Sequence, residues 1–221
     1  MDRSKIILNT AIKEFGEKGF LSASTNNIAK EAKVSKGLIF HYYESKIMLF
    51  IACVSNCLED LNNYCSADIP QFEDPKKMLL FYLQKKILFF RENPIDLKIL
   101  YEARCSPPSE EDGYEKLSLL FSEYENDTYE QLFDFFSIFS LHEDVNKETV
   151  KFIIRSVAEK IESELMLLCF DVNTFNSDLV EIAVQKMLET IEIIKYGVLD
   201  TTRRRRKYAN NKGKRHNYTL F

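Results

Sequence analysis

The sequence predicts an all-α protein, and three observations carry that prediction. Apolar residues recur at three- and four-residue spacing through most of the chain. No stretch alternates apolar and polar residues as a half-buried strand does. Helix-capping residues, prolines and glycines break the pattern into about nine segments. With 221 residues, 45% of them hydrophobic, and only 6 Gly and 5 Pro, the chain can bury a full core.

The first helix is expected from about Asp2 to Lys18, with Ile7, Leu8, Ala11, Ile12 and Phe15 as its core stripe and Gly19 as its stop. Ser24 is placed to cap a second helix, Thr25–Ala32, with Ile28, Ala29 and Ala32 on one apolar face. Lys33-Val34-Ser35 makes a three-residue turn in which Val34 reaches back into the core and Ser35 caps the next helix. That third helix starts at Lys36 and buries Ile39 and Phe40. Two short helices joined by so tight a turn form a helix-turn-helix, whose second helix can lie in the major groove of DNA.

Glu44-Ser45 ends the third helix, and Ser45 caps a fourth running through Met48, Leu49, Ala52, Cys53, Leu58 and Leu61 to about Ala67. It is too long for a small domain alone and reads as a connecting rod. Asp74-Pro75 opens a fifth helix and Asn93-Pro94 ends it; a sixth follows to about Arg104. Cys105–Ser109 is the clearest loop. A seventh segment, about Glu111–Ser140, is dense in aromatics; the acidic loop Leu141–Asn146 separates it from an eighth helix, about Lys147–Phe170, and a ninth runs from about Ser177 to Val198. The domains are expected at 1–46 (helix-turn-helix), 47–200 (the larger helical domain) and 201–221, a basic tail that cannot bury itself and is a candidate for disorder.

Charge is segregated along the chain. Residues 1–50 carry 8 Lys/Arg against 5 Asp/Glu, residues 51–200 carry 14 against 29, and residues 201–221 carry 8 against none. The acidic middle repels phosphate, so any DNA contact belongs to the basic N-terminal part, with or without the tail. No run of eighteen apolar residues and no signal-peptide pattern is present, so a cytoplasmic protein without membrane association is expected. The five cysteines (Cys53, Cys57, Cys65, Cys105, Cys169) lie in apolar helical stretches and are expected as buried free thiols. No nucleophile–base pair, metal cluster, glycine-rich phosphate loop or carboxylate pair stands out, and His41, His142 and His216 are scattered. Neither an enzyme nor a cofactor or metal is expected.

The run Ile28-Ala29-x-x-Ala32-x-Val34-Ser35-x-Gly37-x-x-Phe40-x-Tyr42-Tyr43-x-Ser45-Lys46, preceded by Phe15-Gly16-Glu17-Lys18-Gly19-Phe20, resembles the DNA-binding domain of the TetR family of bacterial transcriptional repressors. One departure is Lys33, where the family usually has a turn glycine; a left-handed backbone there carries a penalty of roughly 1 kcal/mol. The resemblance implies that Thr25 contacts backbone phosphate and Asn26 reaches a base edge. It implies that Tyr42 and Lys46 clamp phosphate, assisted by His41. Ser35 caps the reading helix. Lys36, Gly37 and Leu38 sit on its exposed N-terminal face, where Lys36 can donate to guanine, Gly37 admits close backbone approach and Leu38 covers a thymine methyl.

The larger domain is expected to bind a ligand and to dimerise. Tyr64, Phe81, Tyr82, Phe89, Phe90, Tyr101, Phe121, Tyr124, Phe133 and Phe136, with Arg104 or Glu102, suit an apolar site for a small lipophilic or aromatic effector, although core filling explains any single ring as well. Val150, Ile154, Val157, Ile161, Leu165 and Leu168 form one apolar stripe; Leu179, Ile182, Ala183, Met187, Ile191 and Ile194 form another. Paired helices 8 and 9 from two subunits would pack as a four-helix bundle, unless both stripes face the chain's own core. The expected function is a ligand-responsive regulator, a repressor, binding a palindromic operator as a homodimer. Two rivals remain: a DNA-architectural protein without an effector, and a small-molecule-binding protein with a vestigial DNA head.

Overall fold

The computed structural model describes residues 2–72, 75–109, 113–136, 146–169 and 177–194. The expectations about the 201–221 tail, the acidic loop before Asn146, and the side chains of Phe133, Phe136, Leu165, Leu168, Cys169, Leu179, Ala183, Met187, Ile191 and Ile194 lie outside the described residues. The described residues form α1 Arg3–Ser22, α2 Thr25–Glu31, α3 Lys36–Tyr43, α4 Lys46–Ser66, α5 Pro75–Glu92, α6 Pro94–Cys105, α7 Gly113–Phe136, α8 Lys147–Cys169 and α9 Ser177–Ile194, with no strand among them.

Local chemistry explains the boundaries. The Asp2 carboxylate accepts from the Ser4 N–H at 3.0 Å and caps α1. Gly19, at φ 74°, breaks the helical path where the sequence places a stop, and residues 20–22 add one further turn beyond the kink. Ser35 and Ser45 cap α3 and α4 by accepting from Leu38 N–H at 3.2 Å and Met48 N–H at 3.1 Å. Ser24 makes no such bond. Glu14 holds this helix start in another way, as described below. Lys33 does adopt the left-handed conformation, at φ 55°.

α4 is the spine of the molecule. Leu49, Phe50, Cys53 and Val54 are fully buried, and Phe50 closes a ring cluster with Phe15 and Phe20 at centroid separations of 5.1 and 5.2 Å. Further along, Cys57, Leu58, Leu61 and Cys65 continue the same core among the later helices. α1 packs on α4 and, unforeseen from the sequence, on α6. There a Cβ on Gly16 would stand 2.5 Å from Ile95 Cγ2, so α1 and α6 approach as closely as glycine permits.

Two expectations require correction. Val150, Ile154 and Ile161 on α8 are buried against their own chain beside Ala158 and Met166, because α8 covers α5, α6 and α7. That stripe is core. Among the described side chains of the last two helices, the exposed large apolar ones are Phe152, Leu167, Ile182 and Ile193. Cys53, Cys57 and Cys65 are buried free thiols as expected, with burial pushing all three thiols up. Cys105, by contrast, is exposed at the end of α6. Among the described residues no single helix is long and apolar enough to cross a membrane.

Candidate functional site

The head presents the start of α3 and the ends of its neighbours to solvent. Asn26, Ser35, Lys36, Gly37, His41 and Tyr42 are exposed, and Thr25 is half-buried at the first position of α2. Gly37 has an ordinary helical backbone, and a Cβ built on it would meet nothing nearer than Ser35 Oγ at 4.0 Å. Folding therefore does not demand glycine there, and the bare backbone is a feature of the surface. The Lys36 ammonium lies 5.7 Å from the Phe40 ring centroid, and His41 and Tyr42 stack edge-on at 5.6 Å.

Two predicted contact residues are placed differently. Leu38, expected on the exposed face, is half-buried and packs against the core, because a residue three positions after the cap already turns inward. Phe40 is half-buried, whereas Ile39 is completely buried. Lys46 is held by its own chain: its ammonium donates to the Leu21 carbonyl at 3.3 Å and lies 4.7 Å over the Phe20 ring.

The network that orients the head was not apparent in the sequence. Glu14 is 5% exposed and accepts from Lys18 at 2.9 Å, from the Ser24 N–H at 3.1 Å and from Asn27 Nδ2 at 2.6 Å. Burial raises the pKa of this carboxylate, but these three donors together outweigh burial and hold it below the ordinary range. Glu14 thus fixes the start of α2 by binding the N–H of its cap residue and the side chain of Asn27, a different set of donors from those a Ser24 hydroxyl would satisfy. At the other end of α3, the Tyr43 hydroxyl donates to the Ser4 carbonyl at 3.0 Å and also lies 2.9 Å from the Ser4 hydroxyl, fastening α3 to the start of α1.

A second concave feature lies between α4, α5, α6, α7 and α8. Leu58, Leu61, Leu83, Phe90, Leu100 and Phe121 line a narrow apolar cavity, open at its mouth. Of the aromatic residues proposed from sequence, Phe90, Phe121 and Tyr124 face it; Phe89 instead pairs with Tyr64, and Phe81 with Phe72 and Tyr82. Three charged groups sit at its edge, Lys86, Arg104 and Glu162. Lys86 donates to Glu162 at 2.7 Å; burial lowers its pKa, but Glu162 and Tyr124 outweigh burial and keep it protonated. Arg104 pairs with the buried Glu125. Burial pushes Glu125 up to about 7 against the pull of Arg104, with Glu162 and Glu159 adding to the rise. Glu102, the other charged candidate, points away: both its oxygens accept from the Phe20 N–H, at 2.9 and 3.0 Å.

Comparison with known proteins bears on the head and on the fold. Residues 7–53 match the model of bacterial regulatory proteins of the tetR family. Over 86 residues the chain is 33% identical to the HTH-type transcriptional regulator YuxN of Bacillus subtilis, covering 37% of this chain and 30% of that protein. Over 77 residues it is 31% identical to the HTH-type transcriptional regulator BetI of Agrobacterium fabrum, covering 35% and 37%. The matched part thus spans about a third of the length of these relatives. The whole fold is similar to the FadR transcriptional regulator of Bacillus subtilis in complex with stearoyl-CoA (TM-score 0.63, 17% identity, 88% of this chain and 98% of that one). It is also similar to a tetR family transcription regulator from Shewanella sp. PV-4 (TM-score 0.64, 17% identity, 86% and 96%). Residues 7–53 thus match the DNA-binding domain of the tetR family, and the helices of the described residues take a fold similar to that of solved tetR-family regulators.

Proposed function

We propose that this protein is a ligand-responsive transcriptional regulator, a repressor, which binds a palindromic operator as a homodimer and releases it when a small effector occupies the cavity. The observation that carries this reading is the course of α4. Its first residue, Lys46, is fastened to the head, and its Leu58 and Leu61 line the cavity, so one rigid element touches both sites. An effector that favours one tilt of that element over another changes operator affinity by the same differential free energy. The named relatives are transcriptional regulators, and one structural neighbour holds stearoyl-CoA, which supports an apolar effector. In this reading Thr25, Asn26, Ser35, Lys36, Gly37, Leu38, His41, Tyr42 and Lys46 form the DNA surface, with Leu38 acting through the posture of α3 as much as by contact.

Footprinting on DNA flanking the gene tests the reading; a discrete two-fold site supports it, and diffuse coverage favours an architectural role. On that site, Lys36→Ala should weaken binding by about 1–3 kcal/mol and leave random duplex nearly unaffected. Equal losses on both duplexes would remove Lys36 from base reading.

The dimer is proposed to form through α8 and α9, on the surface the chain itself leaves uncovered. Phe152 is 68% exposed and Ile193 70%, joined by Leu167 and Ile182. Ile182 and Ile193 are eleven residues apart, close to three turns, and so lie along one face of α9. The double substitution Phe152→Glu with Ile193→Glu should yield a folded monomer by sedimentation velocity, with operator binding lost. A dimer that survives both changes would place the interface elsewhere.

A further inference from the structure

The cavity and a second, open groove share a wall. The groove runs between α6, α7 and α8, holds about 1160 Å³ of empty space up to its open face, and is lined by Tyr114, Ser118, Ser122, Arg155, Ser156 and Lys160 among others. Arg104 and Phe121 line both spaces. The two differ in chemistry: the cavity is walled almost entirely by carbon, whereas the groove presents serine hydroxyls and charged side chains. Arg104 therefore stands at the junction of an apolar chamber and a polar trough.

The charge at this junction runs against that of the domain around it. Residues 51–200 carry 14 Lys/Arg against 29 Asp/Glu, yet four cations line the two spaces, Lys86, Arg104, Arg155 and Lys160, against three carboxylates, Glu125, Glu159 and Glu162. Glu162 is occupied by Lys86. Glu125 is buried and pairs with Arg104, and burial works against its ionised form. Because burial raises its pKa to about 7, Glu125 can take up a proton near neutral pH if another anion takes its guanidinium, so the exchange leaves no unpaired buried charge.

Resting on the effector-cavity reading above, we infer that the effector is a single-chain amphiphile with an anionic head: its tail fills the cavity among Leu58, Leu61 and Phe90, and its head takes Arg104 from Glu125 at the mouth of the groove. The planar guanidinium offers paired N–H donors that match a carboxylate or phosphate head. The serine-lined groove accommodates any polar extension beyond the head.

Titration calorimetry of the full chain with decanoate, decanol and decylammonium, all below their aggregation limits, tests the head independently of the tail. Decanoate should bind at least about tenfold more tightly than decanol, the contribution expected of one charged hydrogen-bonded head, and decylammonium should bind least. Arg104→Gln should remove that advantage and leave decanol unchanged. Glu125→Gln, which cannot compete as an anion, should retain or improve decanoate binding, whereas a purely structural role for the pair predicts loss in both variants. A preference for decanol or decylammonium would overturn the anionic head while leaving the cavity as the effector site. Binding of none of the three would overturn both.

Discussion

Glu14→Ala is expected to destabilise the protein by about 2–4 kcal/mol in denaturant unfolding at neutral pH, although Glu14 approaches no functional surface directly. The carboxylate is 5% exposed and holds Lys18, the Ser24 N–H and Asn27 together. Its removal leaves the Ser24 amide and the Asn27 side chain without their acceptor. Lys18 is half-exposed and can regain water, which keeps the loss below that of breaking a fully buried pair. The pH dependence carries a definite sign. The folded pKa lies below the ordinary value of 4.5, so the stabilisation is fully present above 4.5 and is lost as pH falls through the depressed folded value. The difference in stability between wild type and Glu14→Gln should therefore shrink in acid. A difference that grows on acidification would show that the carboxylate is not held ionised by its partners. Because Ser24 and Asn27 fix the start of α2, the variant should also bind operator less well at temperatures where it is still folded.

The contrast between Glu14 and Ser24 shows what was legible in the sequence and what was not. Helix boundaries, the head's apolar face and the turn at Lys33 follow from local signals: caps, glycine, and the three-to-four spacing of Ile28, Ala29, Ala32 and Ile39. The head itself was readable because its chemistry lies within about twenty consecutive residues. The fastening of α2's start was not, since Ser24 is a good cap by type yet makes no side-chain cap bond, and Glu14 reaches the Ser24 amide only after the chain has folded across ten residues. The α8 stripe failed for a related reason. Periodicity shows that a face is apolar; it does not show whether the partner is the same chain or another. Ile154 and Phe152 are two residues apart on one helix, yet one is core and the other surface. The cavity was half legible: aromatic density pointed to α5, α6 and α7, but rings such as Phe89 and Tyr64 satisfy each other. The pairing of Arg104 with Glu125 has no sequence signature at a separation of twenty-one residues.

Glu102→Ala is expected to disconnect the two sites while leaving each intact. The short run 102–104 of α6 faces both ways. Arg104 borders the cavity, while Glu102 grips the Phe20 amide just past the Gly19 kink, where α1 turns towards α2. Two oxygens on one amide make an oriented clamp, and Gly16 against Ile95 holds the same two helices at close range, so a shift of α6 is transmitted to the head instead of being absorbed. In the wild type, saturating decanoate should weaken operator binding by a coupling of about 1–3 kcal/mol, or roughly 5–150-fold. In Glu102→Ala, decanoate affinity by calorimetry and operator affinity without ligand should each stay within about threefold, while the coupling falls by most of its value. Glu102→Gln keeps one acceptor oxygen and should fall between the two. Hydrogen exchange gives a readout free of DNA: the Phe20 amide should exchange faster in Glu102→Ala than in wild type, because its acceptor is gone. If the Glu102→Ala protein still responds fully to decanoate although the Phe20 amide exchanges faster, the signal travels along α4 alone.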